Sequence, residues 1–454
     1  MATTEITGAI EHFVGAFERH EPRLIGARAD WLRALRREAL ESFTRQGLPD
    51  RRREDWRFTN VAPIGRTRFA HVDPPGPADT IDAAVERELA RLDIPDLEAD
   101  RLVFIDGHYQ PRLSAVGPLP PGARLATMAE AIDRHGDLAR GRLARHAEWQ
   151  VHPFVALNTA WMGDGAFLAL DEGVVLERPV HVIHLATGAG AAAAAIHPRA
   201  LVVAGRASQA TLIESFGGAE GSVYLHNAVT EILAAEDAHL DHYKLQRESL
   251  EAFHVHTLQV RQERSSNLRT HAFTLGAAVS RCDINIVLDG EGIESTLNGL
   301  YMLAGDQHAD THSRLDHARP HCHSSELYKG ILDERAGGVF TGRILVRQDA
   351  QKTDAYQKNE ALLLSETATI NTQPQLEIFA DDVKCSHGAT IGQLDSEATF
   401  YLRSRGIGLD EARALLTRAF AGAIIERVRP APVRAALERL VGEKFETRIP
   451  MESA

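Results

Sequence analysis

The chain of 454 residues is 44% hydrophobic and 25% charged, the balance of a soluble globular protein with room for two or three domains. Its formal net charge of −13, with no basic patch to override it, argues against nucleic acid as a partner, because phosphates would be repelled. Three cysteines, Cys282, Cys322 and Cys385, with no C-x-x-C pair, make neither a disulfide framework nor a closed zinc site by spacing, and fit a reducing compartment.

The N-terminal part reads as helical. Ile6, Ile10, Phe13, Val14 and Phe17 share one helix face, as do Trp31, Leu32, Leu35, Ala39 and Phe43, and Gly47-Leu-Pro49 stops the second helix. Glu5, Glu11 and Glu18 lie among those apolar residues, which is not a signal peptide. Pro74-Pro75-Gly76-Pro77 predicts a linker or loop, followed by short helices near 81–92 and 128–144.

From about residue 154 the period changes. Short β-branched segments such as 200–204, 210–216, 255–260, 284–288, 344–346 and 376–379 follow one another, with no clear helix for over 200 residues. Such a run suggests a β-solenoid or a sandwich, and sparse Asn-Gly and Asp-Gly hairpin signals favour parallel coils stacked one on another over an up-and-down barrel. The alanine run 189–195 reads as a surface loop inserted in the first coils. Helical periodicity returns at Asp410, with an apolar stripe of Ala412, Leu415, Leu416, Ala419, Phe420, Ala423 and Ile424. A second amphipathic helix carries Val433, Leu437, Leu440, Val441 and Phe445. These two helices must pack on the solenoid, on the N-terminal helices or on another protein. No stretch reaches the ~18 apolar residues of a membrane span, so the expectation is a cytoplasmic protein without membrane contact. The predicted class is α+β: a mainly helical domain at 1–150, a β-solenoid at 151–402 and a helical segment at 403–454.

The densest chemical signal is Lys384-Cys-Ser-His-Gly388. On a strand, Cys385 and His387 project from one face. A thiol beside an imidazole suits a soft metal or a persulfide sulfur, but two ligands are too few to hold a metal alone. The plainer alternative for an isolated C-x-H is a buried cysteine and a satisfied histidine. Half of the 22 histidines lie between His226 and His323, where His308, His312, His317, His321 and His323 interleave with Asp306, Asp310 and Asp316. Such ladders form on any solenoid wall, and H-A-D-T-H lacks the glutamate of a zinc protease motif. Cys282 and Cys322 read as core thiols. There is no P-loop, no Gly-Lys dipeptide, no G-x-S-x-G and no G-x-G-x-x-G, so the chain has no ATP site of its own by motif.

The run Lys384-Cys-Ser-His-Gly-Ala-Thr-Ile-Gly392, followed by Phe400-Tyr-Leu-Arg-Ser-Arg-Gly-Ile407, closely resembles the SufB/SufD family of iron–sulfur cluster assembly scaffolds. So do Arg52-Arg-Glu-Asp-Trp-Arg-Phe-Thr59, Val103-Phe-Ile-Asp-Gly107, Asp306-Gln-His-Ala-Asp-Thr-His312 and Ser325-Glu-Leu-Tyr-Lys-Gly-Ile331, in the family's order. The Cys-Ser-His form resembles the D-type member. The resemblance implies a right-handed parallel β-helix and a non-catalytic role in a SufBCD-type complex. It implies pairing with a SufB-like paralogue near Cys385 and His387, and docking of a SufC-like ABC-type ATPase on the C-terminal helices. The cargo it implies is a transient iron–sulfur cluster or iron at the subunit interface. His387 would be a metal ligand or proton acceptor, and Cys385 a sulfur acceptor or second ligand. Binding of reduced flavin in the complex stays open. So do a SufB-like role, a self-sufficient homodimer and, outside the family, a β-helix enzyme acting on a carbohydrate.

Overall fold

Short alternating segments bury one face and cannot do so alone, so they stack. In the computed structural model, which describes residues 2–73, 83–188 and 192–446, they form about 7 turns of a parallel β-solenoid. Each turn gives one strand to each of two sheets. The first sheet runs from Arg199–Ala204 through Tyr224–Ala234, Phe253–Gln262, Val279–Leu288, His308–His317 and Gly337–Val346 to Thr369–Ile378. The second runs from Gln209–Gly218 through His239–Arg247, Asn267–Thr274, Glu294–Leu303, His323–Leu332 and Asp354–Leu363 to Lys384–Gly392. One coil takes about 30 residues, so Val229 lies beside Arg199 and His239 beside Gln209. The lumen between the sheets holds an apolar column that includes Val202, Leu212, Ile232, Leu258, Ile284, Leu315, Phe340 and Ile344. Cys282 and Cys322 belong to it, as expected of core thiols.

The corner between the sheets repeats as strictly as the strands. Gly173, Ala207, Asp237, Ser265, Gly292, His321 and Lys352 all have positive φ, between 55° and 72°. The backbone N–H of each donates to a carbonyl one coil on: Ala207 to Glu236 at 2.9 Å, Asp237 to Arg264 at 3.0 Å, His321 to Gln351 at 2.9 Å. Five of these seven corner residues carry side chains despite the left-handed backbone, so the corners lack the Gly-rich signature that would have announced them.

Residues 1–150 contribute more than helices. Asp100–Ile105 extends the second sheet in parallel against Val180–Ala186, and Ala123–Thr127 closes the first sheet antiparallel to Ala166–Leu170. The helices Ala2–His20 and Asp30–Gln46 form as expected and bury Phe13, Phe17, Leu32, Ala39 and Phe43. The side chains of Ile6 and Phe445 and the predicted linker at Pro74–Pro77 lie outside the described residues. A helix at Pro153–Trp161 stands where the sequence suggested strands. All nine of its residues are buried, so it has no polar face and no 3.6-residue rhythm to read. The alanine run also differs from the expected loop. Its end, Ala193–Ile196, is a strand between Phe69–Ala70 and Tyr224 onwards, and small side chains fit there under Phe69, Tyr224 and Phe253.

The C-terminal helices Leu409–Ile425 and Ala431–Glu446 lie on the outer face of the second sheet. Ala421, Ile424, Ile425, Val433, Leu437 and Val441 pack there on Tyr243, Phe273, Leu300 and Leu327. Lys444 Nζ ties the last helix to the Leu275 carbonyl at 2.7 Å. Of the predicted stripe on the first of these helices, Ala412 and Ile424 are buried, Leu416, Phe420 and Ala423 are half-buried, and Leu415 and Ala419 are exposed. No helix among the described residues is long and apolar enough to cross a membrane.

The corner geometry predicts a sign reversal between two substitutions. A Cβ added at Gly292 would meet nothing closer than Ser265 Oγ, at 3.5 Å. Gly292→Ala should therefore cost only the left-handed backbone penalty, about 1 kcal/mol, whereas Ala207→Gly should gain a few tenths, about 0.5 kcal/mol. Urea midpoints of the two variants measure this, and equal signs would refute it.

Candidate functional site

Register carries Cys385 and His387 to the end of the lumen. Cys385 lies beside Ala355, which lies beside Ser324, and His387 lies beside Gln357, which lies beside Glu326. Ser324, Glu326, Ala355 and Gln357 all point inward and are buried. Cys385 and His387 continue the same inward columns on the last coil, where no further coil covers them. Cys385 is half-buried against the lumen core and His387 is exposed. The two residues thus line the mouth of the solenoid, on one strand face as the spacing predicted.

The electrostatics of this mouth leave the thiol protonated. Burial and the nearby Asp354 carboxylate push the Cys385 thiol up from its ordinary value, against a smaller downward pull from the Ala355 backbone. Burial and Asp354 thus disfavour the thiolate here, and a cation close by would favour it. Beneath His387, Gln357 Nε2 donates to Glu326 Oε2 at 2.6 Å. Gly342 on the facing strand leaves the room, since a Cβ there would meet Gln357 Nε2 at 2.1 Å. Burial pushes the Glu326 carboxyl up to about 7, with hydrogen bonds from Ser313 and Gln357 acting the other way. Sequence reading missed this pair, because a lone Glu and a lone Gln about 30 residues apart become neighbours only through the coil register.

The mouth is bordered by unspent apolar surface. Thr369–Ile378 and Lys384–Gly392 are the terminal strands of their sheets, so each has one unpaired edge. Phe379 is 64% exposed, Ile378 is exposed next to it, and Ile391 is exposed near the end of the other terminal strand. The following helix, Ser396–Ser404, is capped by Asp395 but buries none of its residues. Phe400 and Tyr401 on it are 74% and 57% exposed, and Leu409 and Leu415 add to the patch.

Two family models cover most of the chain. Residues 8–182 match the SufBD protein N-terminal region, and residues 185–420 match the SufBD core domain of the SUF system for FeS cluster assembly. The chain belongs to the SufBD family. It is 35% identical over 435 residues to an iron–sulfur cluster assembly SufBD family protein of Synechocystis, covering 90% of this chain and 94% of that one. It is 31% identical over 407 residues to the iron–sulfur cluster assembly protein SufD of Escherichia coli, covering 89% and 91%. The SufD of Bacillus subtilis is 24% identical over 435 residues, covering 90% and 92%.

The SufBD N-terminal and core regions are joined by a buried latch, and that is where the crowded His/Asp stretch is used. Arg281 donates to Asp310 at 2.6 Å, to Asp283 at 2.6 Å and to the Asp55 carbonyl at 2.8 Å, and its guanidinium lies 4.4 Å over the Trp56 ring. Thr59 Oγ1 reaches Asp310 at 2.5 Å and His308 at 2.9 Å. The motif Arg52–Thr59 is thus a strap held on the first sheet. The Arg281 and His312 charges hold Asp310 well below the usual carboxylate range despite burial. Asp316 is similarly taken by Arg347 at 2.7 Å.

Removing one partner of such a buried pair strands the other. Asp310→Ala should cost about 3 kcal/mol and expose the strap to protease at Arg51–Arg53, read by thermal melting and by mapping the first cleavage. An unchanged melt would show that the strap is held elsewhere.

Glu326 predicts a pH dependence of opposite sense to an ordinary carboxylate. Its proton is held more tightly in the folded state, so stability is fully present below the unfolded value near 4.3 and is lost as pH rises through about 7. Glu326→Gln should therefore raise the urea midpoint at pH 8, by on the order of 2 kcal/mol, and leave it unchanged at acid pH. A pH-independent effect would contradict the assignment.

Proposed function

We propose that this SufBD family chain is a non-catalytic, D-type scaffold subunit that offers half of a labile iron–sulfur assembly site at a subunit interface. The observation that carries the reading is the placement of a thiol and an imidazole at an uncovered solenoid mouth, framed by two unpaired strand edges and exposed phenylalanine. Unpaired edges and apolar rims are surfaces that a second chain covers. A SufB-like paralogue adding its own ligands there would complete a soft-ligand set around iron or a nascent cluster, which is cargo and must also leave. Sharing ligands across an interface makes that release a matter of separating two surfaces. The protonated state of Cys385 fits such a role, since the thiolate would form with the cargo rather than wait for it.

The same reading assigns the exposed patch of Phe400, Tyr401, Leu409 and Leu415 to a SufC-like ATPase. This patch, which straddles the predicted boundary at residue 402, is the most exposed apolar surface of the C-terminal helices, whose other face packs on the second sheet. Its closeness in sequence to the mouth would let movement of the ATPase bear on the shared site.

The test uses the chain co-expressed with its paralogue and ATPase. His387→Ala should abolish cluster formation while the complex and its ATPase activity survive, because Ser386 and Gly388 offer no replacement nitrogen. Cys385→Ser should have an equal or milder effect. Normal cluster assembly by both variants would end the reading of this site. Phe400→Asp with Leu409→Asp should remove the ATPase from the purified complex and keep the paralogue; retention of the ATPase would place its contact elsewhere. A stable dimer of the chain alone that carries a cluster would favour the self-sufficient scaffold instead.

A further inference from the structure

Far from the mouth, in the third and fourth passes of the lumen, two histidines and a glutamate converge. In-register pairing puts His226 directly beside His254 on adjacent strands. Glu248 enters from the turn that follows His239–Arg247. Its Oε1 lies 2.9 Å from His226 Nδ1 and 2.8 Å from His254 Nδ1, and its Oε2 accepts from the Tyr224 hydroxyl at 2.6 Å. One ligand atom from each of His226, Glu248 and His254 lies within 4.8 Å of the others. Ligands bonded at about 2.0–2.2 Å to one ion stand about this close together.

Two features of this triad bear on its taking up an ion. First, Glu248 is a fully buried carboxylate with no permanent counter-charge: among the described residues, its ion-pair partners are the two imidazoles, with no Lys or Arg. Buried Glu231 and Asp310 each have an arginine, while Glu214 has a single imidazole, His242, where Glu248 has two. A buried anion is normally paired with a cation or bound to a metal. Second, the far nitrogens, His226 Nε2 and His254 Nε2, are buried and have no hydrogen-bond partner among the described residues. Ligation through Nδ1 moves each ring's proton to Nε2, where it has no acceptor, so the ion must outweigh two unpaired N–H groups.

We propose that His226, Glu248 and His254 hold a structural divalent transition-metal ion, of the zinc or ferrous class that imidazole and carboxylate favour, inside the lumen. The two Nδ1 protons now shared with Glu248 pass to Nε2 of the same rings when the ion binds, so both imidazoles stay neutral. The side chains are 0–1% exposed, so the ion is enclosed as the coils close and its binding energy becomes folding energy.

The experiment uses the full chain, purified from zinc- and iron-supplemented cultures and dialysed against EDTA, with metal measured by mass spectrometry. The expected result is about one tightly held ion per chain, kept in a Cys385→Ser/His387→Ala background and reduced about tenfold or more in Glu248→Gln and His254→Gln. A second arm needs no variant. Wild-type chain unfolded with EDTA is refolded with Co²⁺ or with EDTA alone. Cobalt should raise the melting temperature and give visible d–d absorption. The proposal is overturned if the folded wild type loses its metal to EDTA, or if cobalt and EDTA refolding give the same melting temperature and no absorption.

Discussion

Every coil of this protein is laid on the last in register, and that one constraint governs the rest. A residue inside the lumen has two neighbours fixed in advance, the residues at the same position one coil before and after. Size must therefore alternate along a column. Gly299 lies beside Tyr328, and Tyr301 beside Gly330. A Cβ on either glycine would meet the neighbouring tyrosine ring at 2.0 or 2.1 Å. Polarity obeys the same rule, because a buried polar group can be satisfied only by the coil above, the coil below or the opposite sheet. Glu326 finds Gln357 in this way, and Glu214 finds His242 at 2.8 Å and Thr230 at 2.9 Å.

At the last coil the constraint lapses. The columns that carry Ser324, Ala355 and Cys385, or Glu326, Gln357 and His387, simply end. Groups that would be core residues one turn earlier become a chemically usable pair, half sheltered below and open above. The proposed site would thus not be an addition built on the scaffold. It is what an inward-facing Cys and His become when the stacking stops.

How much of this could be read from the sequence follows the same logic. Short β-branched segments with few hairpin signals were compatible with a solenoid or a sandwich, and it was the family resemblance that pointed to the parallel β-helix. The Cys385–His387 pairing was legible because i, i+2 on a strand is a local relation. The helix Pro153–Trp161 was not, since a segment buried on every side has no period. The alanine strand Ala193–Ile196 was not, since low complexity reflected tight packing under aromatic rings. The corners at Ala207, Asp237 and Ser265 hid because register forces their positive φ on residues that do not advertise it. Glu326–Gln357 and His226–Glu248–His254 are contacts between coils, and their spacing is set by coil length rather than by any local rule.

The distribution of covering elements sharpens where another chain can add to this fold. The outer face of the first sheet is packed by the N-terminal helices and the strap, through Phe13, Phe43, Trp56 and Phe154 against Leu225, Phe253 and Val255. The outer face of the second sheet is packed by the C-terminal helices. At the N-terminal end both sheets finish in antiparallel strands, His108–Tyr109 and Ala123–Thr127. Among the described residues, the far end alone combines two free parallel edges with exposed apolar side chains and a soft-ligand pair. A partner that continued the sheets there would satisfy the open backbone groups, bury Phe379 and Ile391, and bring its own inward columns face to face with Cys385 and His387. Sheet edges, apolar surface and chemistry thus point to one surface, because all three arise where the stack of coils ends.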